Sequence, residues 1–369
     1  MSGERAPEAT PSKSGHRLAP RHRAQLALRD AEGHLKRSAL KLAGYLALAY
    51  LVLKLIPSLK QALHSLEHVS WEWLVGAIAL EVMSESGFVM AWKTIVDPDH
   101  ILEAEDRGRH MDERVAWAQL GGGLLLPGGS YGGLGVGAWL MHRFGMPSKV
   151  VAEREFNLSF LNTTIDALAV IIFGVGLAVG IFAGKHSLLL TALPAGVAAG
   201  LLVLAGALAR RAGARGERLR TSHPKISAAL TTLAKAVEDT GRLVFHRGGR
   251  RSILGVVAYL GFDVLVLYSA FLAIHAHALP GFAVVVLAYI IGALGGSIPL
   301  PASLGTVGGM VGMLIVYGVG HNAAVAVVLL HQAIGLLVPL TGGGISYAVL
   351  RHRFGPLSDT PEDAAPAGT

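Results

Sequence analysis

The chain has 369 residues, 52% of them apolar and only 15% charged, with a net charge of +7 and no cysteine. A soluble domain of this length carries about a quarter charged residues. A mean hydropathy of +0.51 and long apolar blocks therefore exclude a soluble globular protein, and the lack of cysteine excludes disulfides, thiolate metal sites and cysteine nucleophiles.

Residues 1–37 are polar and basic, with no apolar core of a signal peptide behind the basic start, and read as a disordered cytoplasmic tail. A transmembrane domain is expected over 38–354. Its first span is Ala39–Ile56, stopped by Pro57, followed by an amphipathic stretch at Leu59–Val69. Trp71 and Trp73 sit where interfacial aromatics belong and open a second span that runs to Val96. After a charged loop at Asp97–Arg114, further spans are expected at Phe156–Phe182, Leu188–Leu208 and Ile253–Ile274. The loop between the last two, Ala209–Arg251, holds eleven Lys/Arg and an amphipathic stretch at Lys225–Phe245 suited to a membrane surface. Apolar segments at Phe282–Ile298, Leu304–Val319 and Ala323–Leu350 complete the domain, and residues 355–369 read as a disordered acidic tail. No segment alternates as the strands of a membrane barrel do. The fold class is all-α, polytopic, with about six to eight transmembrane helices, because helices alone satisfy the backbone in lipid without barrel closure.

The basic residues set the topology. The first 37 residues hold eight Lys/Arg, and the Ala209–Arg251 loop holds eleven. Putting both on one side of a cell inner membrane places both termini in the cytoplasm. The charge also needs no nucleic-acid partner, since no such motif accompanies it. Parity then constrains Ala116–Met141, AWAQLGGGLLLPGGSYGGLGVGAWLM. A single crossing there would move the second basic loop outside, so the segment is expected to enter and leave on one side, broken around Pro127, Gly128, Gly129, Gly132 and Gly133. A second break, at Pro299, Pro301 and Gly305, lies in IPLPASLGTVGG. Phe282–Val319 is accordingly either two full spans or a second re-entrant hairpin. Each break precedes a short apolar helix, a Gly-containing turn (Gly145-Met146-Pro147; Gly318-Val319-Gly320) and a long span of opposite direction. This is the pattern of an inverted repeat.

Ionisable residues within spans are costly and mark a bundle interior or a wet path. Glu81 and Glu85 lie one turn apart. Glu155, Ser159, Asn162 and Asp166 form one stripe at i, i+4, i+7 and i+11, flanked by Arg154. Asp263 stands in mid-span one turn from Tyr259, and His331 with Gln332 interrupts the last span. Glu85, Arg154, Glu155, Asn162, Asp166, Asp263, His331 and Gln332 are the candidate translocation residues. Alternatives remain for several: interhelical hydrogen bonding for Ser159 and Asn162, a structural salt bridge for Arg154, and a neutral histidine on a backbone carbonyl for His331. The glycine runs follow no strand and contain no GxxxxGK[ST], and no HExxH or GxSxG is present, so neither a nucleotide, nor another cofactor, nor an enzymatic site has support.

The two broken segments, LLLPGGSYGGLGVGAWLM with AEREF and IPLPASLGTVGGMVGMLIVYGVG with AVVLLHQAIGLLVPLTGG, resemble the flippase-like transmembrane family typified by the membrane domain of lysylphosphatidylglycerol synthase. The likeness runs over about Ser38–Arg353. Glu153-Arg154 matches the family's Glu-Arg pair. Gly129, Tyr131 and Gly133 stand where the family commonly has a PGRxGE-like pattern, so no headgroup role is carried to that loop. The resemblance implies a non-enzymatic lipid translocase, with membrane lipids as partners and without the soluble aminoacyl-transfer domain. The other readings are a scaffold for a lipid-modifying enzyme or glycosyltransferase, and a secondary transporter of a small solute.

Overall fold

The computed structural model describes residues 69–103, 110–125, 130–182, 187–222, 224–245, 247–276, 279–297 and 304–354. The expected first span, both tails, Pro127, Gly128, Gly129, Pro299 and Pro301 lie outside these residues. Among the described residues all regular structure is helical: α1 Trp71–Ile95, α2 Met111–Leu125, α3 Ser130–Arg143, α4 Ser148–Ala178, α5 Leu188–Ser222, α6 Pro224–Phe245, α7 Arg247–Ala273, α8 Phe282–Ala293, α9 Leu304–Val316 and α10 His321–Phe354, with 3-10 turns at Ile101–Glu103 and Leu294–Ser297.

Among the described residues, five stretches are long and apolar enough to cross a membrane: Trp71–Ile95, Ser148–Ala178, Leu188–Arg211, Gly249–Ala273 and His321–Arg353. The expected spans that open at Trp71, Phe156, Leu188, Ile253 and Ala323 correspond to these five stretches, with shifted ends. α4 starts at Ser148, eight residues before the expected Phe156, because Pro147 opens the helix and nothing interrupts it; Arg154 and Glu155 thus lie in its second turn. α5 continues past Leu208 to Ser222 as a basic helical extension.

α1 and α7 pack antiparallel along their length. Ser70 N donates to Ala273 O (2.9 Å) at one end, and Thr94 Oγ1 meets Ser252 Oγ (2.7 Å) at the other. Midway the backbones nearly touch: a Cβ on Gly87 would lie 2.7 Å from Gly255 O. Such contact admits only glycine and is how small residues bring membrane helices together.

Four of the remaining helices form two short pairs. α2 and α3 have 15 and 14 residues, and α8 and α9 have 12 and 13. At 1.5 Å per residue none exceeds about 23 Å, against a hydrocarbon core of about 30 Å. Both ends of the α2–α3 pair lie at the end of the bundle where α1 finishes. There Lys93 Nζ reaches Asp112 Oδ2 (3.0 Å) and Glu113 Oε1 (2.9 Å), while Arg154 Nη1 touches both Val96 O (3.0 Å) and Met146 Sδ (3.9 Å). Both ends of the α8–α9 pair lie at the opposite end. Phe282 packs edge-on to Phe173 and Tyr268, and Tyr317 Oη donates to Leu190 O (2.9 Å).

Each pair finishes in the same turn. Met146 N bonds Met141 O (3.0 Å) and Gly145 N bonds His142 O (2.9 Å); Val319 N bonds Leu314 O and Gly318 N bonds Ile315 O (both 2.9 Å). These are Schellman caps, whose left-handed residue is Gly145 (φ 91°) in one and Gly318 (φ 90°) in the other. Gly132 and Gly133 fall inside α3, and Gly305 is the second residue of α9, so these three are helical rather than part of a break. Glycine costs a helix only about 1 kcal/mol, which helix packing offsets.

α6 is amphipathic, as its sequence requires, and lies against α4, α5 and α7. Lys235 pairs with Glu153, and Asn157 Nδ2 donates to Asp239 Oδ2 (3.0 Å). The Glu153 carboxylate beside it holds the Lys235 ammonium above its ordinary pKa. The buried apolar side chains form two cores, one around α8–α9 and one around α2–α3.

Candidate functional site

Two clusters of polar side chains are buried between these helices. The first stands on α7. Asp263 Oδ1 accepts from His331 Nε2 of α10 at 2.7 Å, and its Oδ2 accepts from the hydroxyl of Tyr289 on α8. The Tyr289 ring meets the His331 ring edge-on, centroids 5.8 Å apart. Glu81 and Glu85 of α1 are each only 4% exposed, and Ser84 between them donates to Tyr259 O of α7 (2.7 Å). Glu81 faces α10, where a Cβ on Gly335, one turn beyond His331, would lie 3.5 Å from its Oε1. Asp263 is close enough to Glu81, Glu85 and Asp166 for their charges to interact. Glu81 Oε2, Glu85 Oε2 and His331 Nδ1 are buried without a hydrogen-bond partner.

The second cluster is smaller. Glu155 Oε1 accepts from Trp92 Nε1 (3.1 Å), its Oε2 accepts from Gln119 Nε2 (3.1 Å), and Gln119 Oε1 shares the indole N–H (3.0 Å). Both carboxylate oxygens are satisfied. Gly137 of α3 makes room for it: a Cβ there would sit 2.1 Å from Gln119 Oε1. Beside this cluster a cavity of about 400 Å³ opens between α3 and α4, lined by Gly135, Ala138, Glu155, Phe156 and Ser159 among others.

The stripe on α4 joins the two clusters. Glu155 belongs to the second and Asp166 to the first, eleven residues or about 16 Å apart along the axis. Asn162 lies between them, its Oδ1 buried and unpartnered. The structure thus brings Glu85, Asp166, Asp263 and His331 together and sets Glu155 apart. Arg154 faces neither cluster: its Nη2 pairs with Asp99 Oδ2 (2.7 Å) and its Nη1 caps the end of α1 at Val96 O. Gln332 Nε2 lies 4.0 Å from Met310 Sδ of α9. His331 meets a carboxylate rather than a backbone carbonyl.

Tyr289, Trp92 and Gln119 are members that charge-based reading missed. Tyr289 carries the single hydroxyl in FAVVVLAYIIGA, and Gln119 is the one amide in the apolar run of α2. Those isolated polar groups were the available signal.

Long apolar helices enclosing buried acidic and imidazole groups define a multi-pass helical membrane protein. The model of one family, the lysylphosphatidylglycerol synthase TM region, matches residues 39–343, and the chain belongs to that family. No curated protein matches the chain.

Proposed function

We propose that the protein moves a membrane amphiphile, a phospholipid or lipid-linked molecule, between leaflets. The observation that carries this reading is the pair of short-helix hairpins with ends at opposite ends of the bundle. Each pair is built of helices of 12 to 15 described residues, each ends in the same glycine cap, and each is followed by a long helix. Two such units of opposite orientation are how inverted-repeat transporters build a site near the bilayer midplane, and alternating access follows when one unit rocks against the other. In this reading α2–α3 and α8–α9 are re-entrant hairpins, with α1–α4 and α7–α10 as the repeats. α1 and α7, the first helices of the two units, pack against each other.

The stripe from the buried Glu155 through half-buried Asn162 to Asp166 and Asp263 gives a polar headgroup a path through the apolar interior. The cavity between α3 and α4 is sized for the entry of a headgroup or chain segment. With the Lys/Arg-rich loop facing the cytoplasm, the α2–α3 pair enters from inside, the α8–α9 pair from outside, and both termini are cytoplasmic in an inner membrane. The activity is translocation without chemistry on the lipid.

The test is a leaflet-resolved lipid assay with purified protein in liposomes. Movement faster than in protein-free vesicles, and lost in Asp263→Asn, is the expected result. Movement equal to that of empty vesicles would refute transport and leave a scaffold for a lipid-modifying enzyme as the reading to pursue.

A further inference from the structure

The cluster around Asp263 has a charge problem. The buried Glu81 and Glu85 and the half-buried Asp166 and Asp263 bring four carboxyl groups from α1, α4 and α7 into one region. The groups facing them are His331 of α10, Tyr289 of α8 and Tyr259 of α7, and among the described residues no lysine or arginine is one of them. Four ionised carboxylates against one imidazole is a charge that no membrane interior holds uncompensated. Something positive must share the site.

The geometry says what. Asp263, the central carboxylate, has both oxygens engaged by Tyr289 and His331. A hard metal cation wants about six oxygens, whereas the positions left without a partner here are two glutamate oxygens and one imidazole nitrogen. A proton needs one lone pair, and three buried positions offer one: Oε2 of Glu81, Oε2 of Glu85 and Nδ1 of His331. With the Nε2–H of neutral His331 donated to Asp263, Nδ1 keeps a bare lone pair. A proton added there makes an imidazolium whose charge is balanced by Asp263 2.7 Å away. A proton added to either glutamate makes a neutral acid, which removes the repulsion from Asp263.

We propose that Glu81, Glu85 and the Asp263–His331 pair form a proton-binding site that takes up and releases protons as the two halves of the bundle rearrange. The site touches α1, α4, α7, α8 and α10, so it joins both proposed repeats. Movement of α10 against α1 would open the Glu81 and His331 positions to water and allow exchange. Proton binding itself needs only this cluster; its coupling to lipid movement rests on the translocation reading above.

Two measurements test the proposal separately. In pH-difference infrared spectra the wild type should show a buried carboxylic-acid C=O band that is lost in Glu81→Gln/Glu85→Gln, a variant checked for folding by gel filtration. A wild type with no such band, or a double variant that keeps it unchanged, would overturn the proton site whether or not lipid moves. In sealed liposomes at equal sodium on both sides, a one-unit pH gradient should shift the steady-state leaflet ratio of a fluorescent phospholipid about tenfold per coupled proton. In His331→Asn the ratio should no longer follow pH. Lipid movement that ignores pH but follows a sodium gradient would overturn the coupling. Wild type that moves no lipid at all would defeat the translocation reading, and the infrared arm would still decide the proton site.

Discussion

The two polar clusters are both built around carboxylates and end in opposite states. Around Glu155 every carboxylate oxygen has a donor, from Trp92 or Gln119. Around Asp263 the central oxygens are bonded, but Glu81 Oε2, Glu85 Oε2 and His331 Nδ1 have no partner. A satisfied buried network holds its helices in one arrangement, because loosening it strands several groups at once. An unsatisfied one carries a standing cost, and it is retained where something else occupies the free positions for part of the time. Under the proton-site proposal, the difference separates a cluster that fixes structure from one that exchanges a proton. Under the same proposal, the α4 stripe, continuous in sequence, serves two roles along its length.

That contrast can be broken most forcefully at Glu155. Glu155→Ala leaves the Trp92 indole N–H and the Gln119 amide without their carboxylate, which should cost about 3 kcal/mol of stability. Thermal unfolding in detergent reads this, and a melting curve matching wild type would remove the structural role.

The opposite outcome is expected at Glu81 and Glu85. Replacing either by Gln should leave stability within about 1 kcal/mol of wild type, because each acid has an unpartnered oxygen and exchanging a buried charge for a neutral amide relieves repulsion. Translocation should fall strongly in the same variants. A large loss of stability, or undiminished lipid movement, would place the two clusters in one class.

Packing sharpens the comparison at the hairpins. In α8–α9 a Cβ on Gly309 would sit 2.2 Å from Gly292 O, so Gly309→Ala must push the two backbones apart. A loss of about 1–3 kcal/mol is expected. At Gly137 the clash is with the tip of Gln119, a side chain that can swing away, so Gly137→Ala should cost less and act through the Glu155 cluster. The orientation of the hairpins is open to labelling, since the chain has no native cysteine. Single cysteines at His110 and His142 should label from one face of the membrane, and at Leu279 and His321 from the other. Any pair divided between faces would show that its hairpin crosses.

The smallest effect belongs to Arg154. Its ion pair with Asp99 is largely open to solvent on the aspartate side, and exposed pairs contribute about 0–1 kcal/mol. Arg154→Ala should shift melting slightly and leave leaflet exchange close to wild type. A complete loss of transport would return Arg154 to the substrate path.

The sequence by itself determined that this is a polytopic helical membrane protein. Apolar length and the demand for backbone hydrogen bonds in lipid leave few choices, and Trp71–Ile95, Leu188–Arg211 and Gly249–Ala273 lie close to where hydropathy puts them. It also marked the costly residues, because an acid or histidine within an apolar run stands out whatever its neighbours. What it left undecided was partnership. Glu155 and Asp166 share one helical stripe, yet α2 brings Gln119 to the first while α7 brings Asp263 to the second, and no spacing along α4 encodes that. Whether Phe282–Val319 forms two spans or a short pair was equally open on charge. The structure packs Gly292 against Met310 and Gly309 and describes α8 and α9 as helices of 12 and 13 residues, a contact between distant positions that no hydropathy pattern encodes. Burial and pairing arise from helices distant in sequence, so only the tertiary structure distinguishes a satisfied carboxylate from one with an oxygen left free.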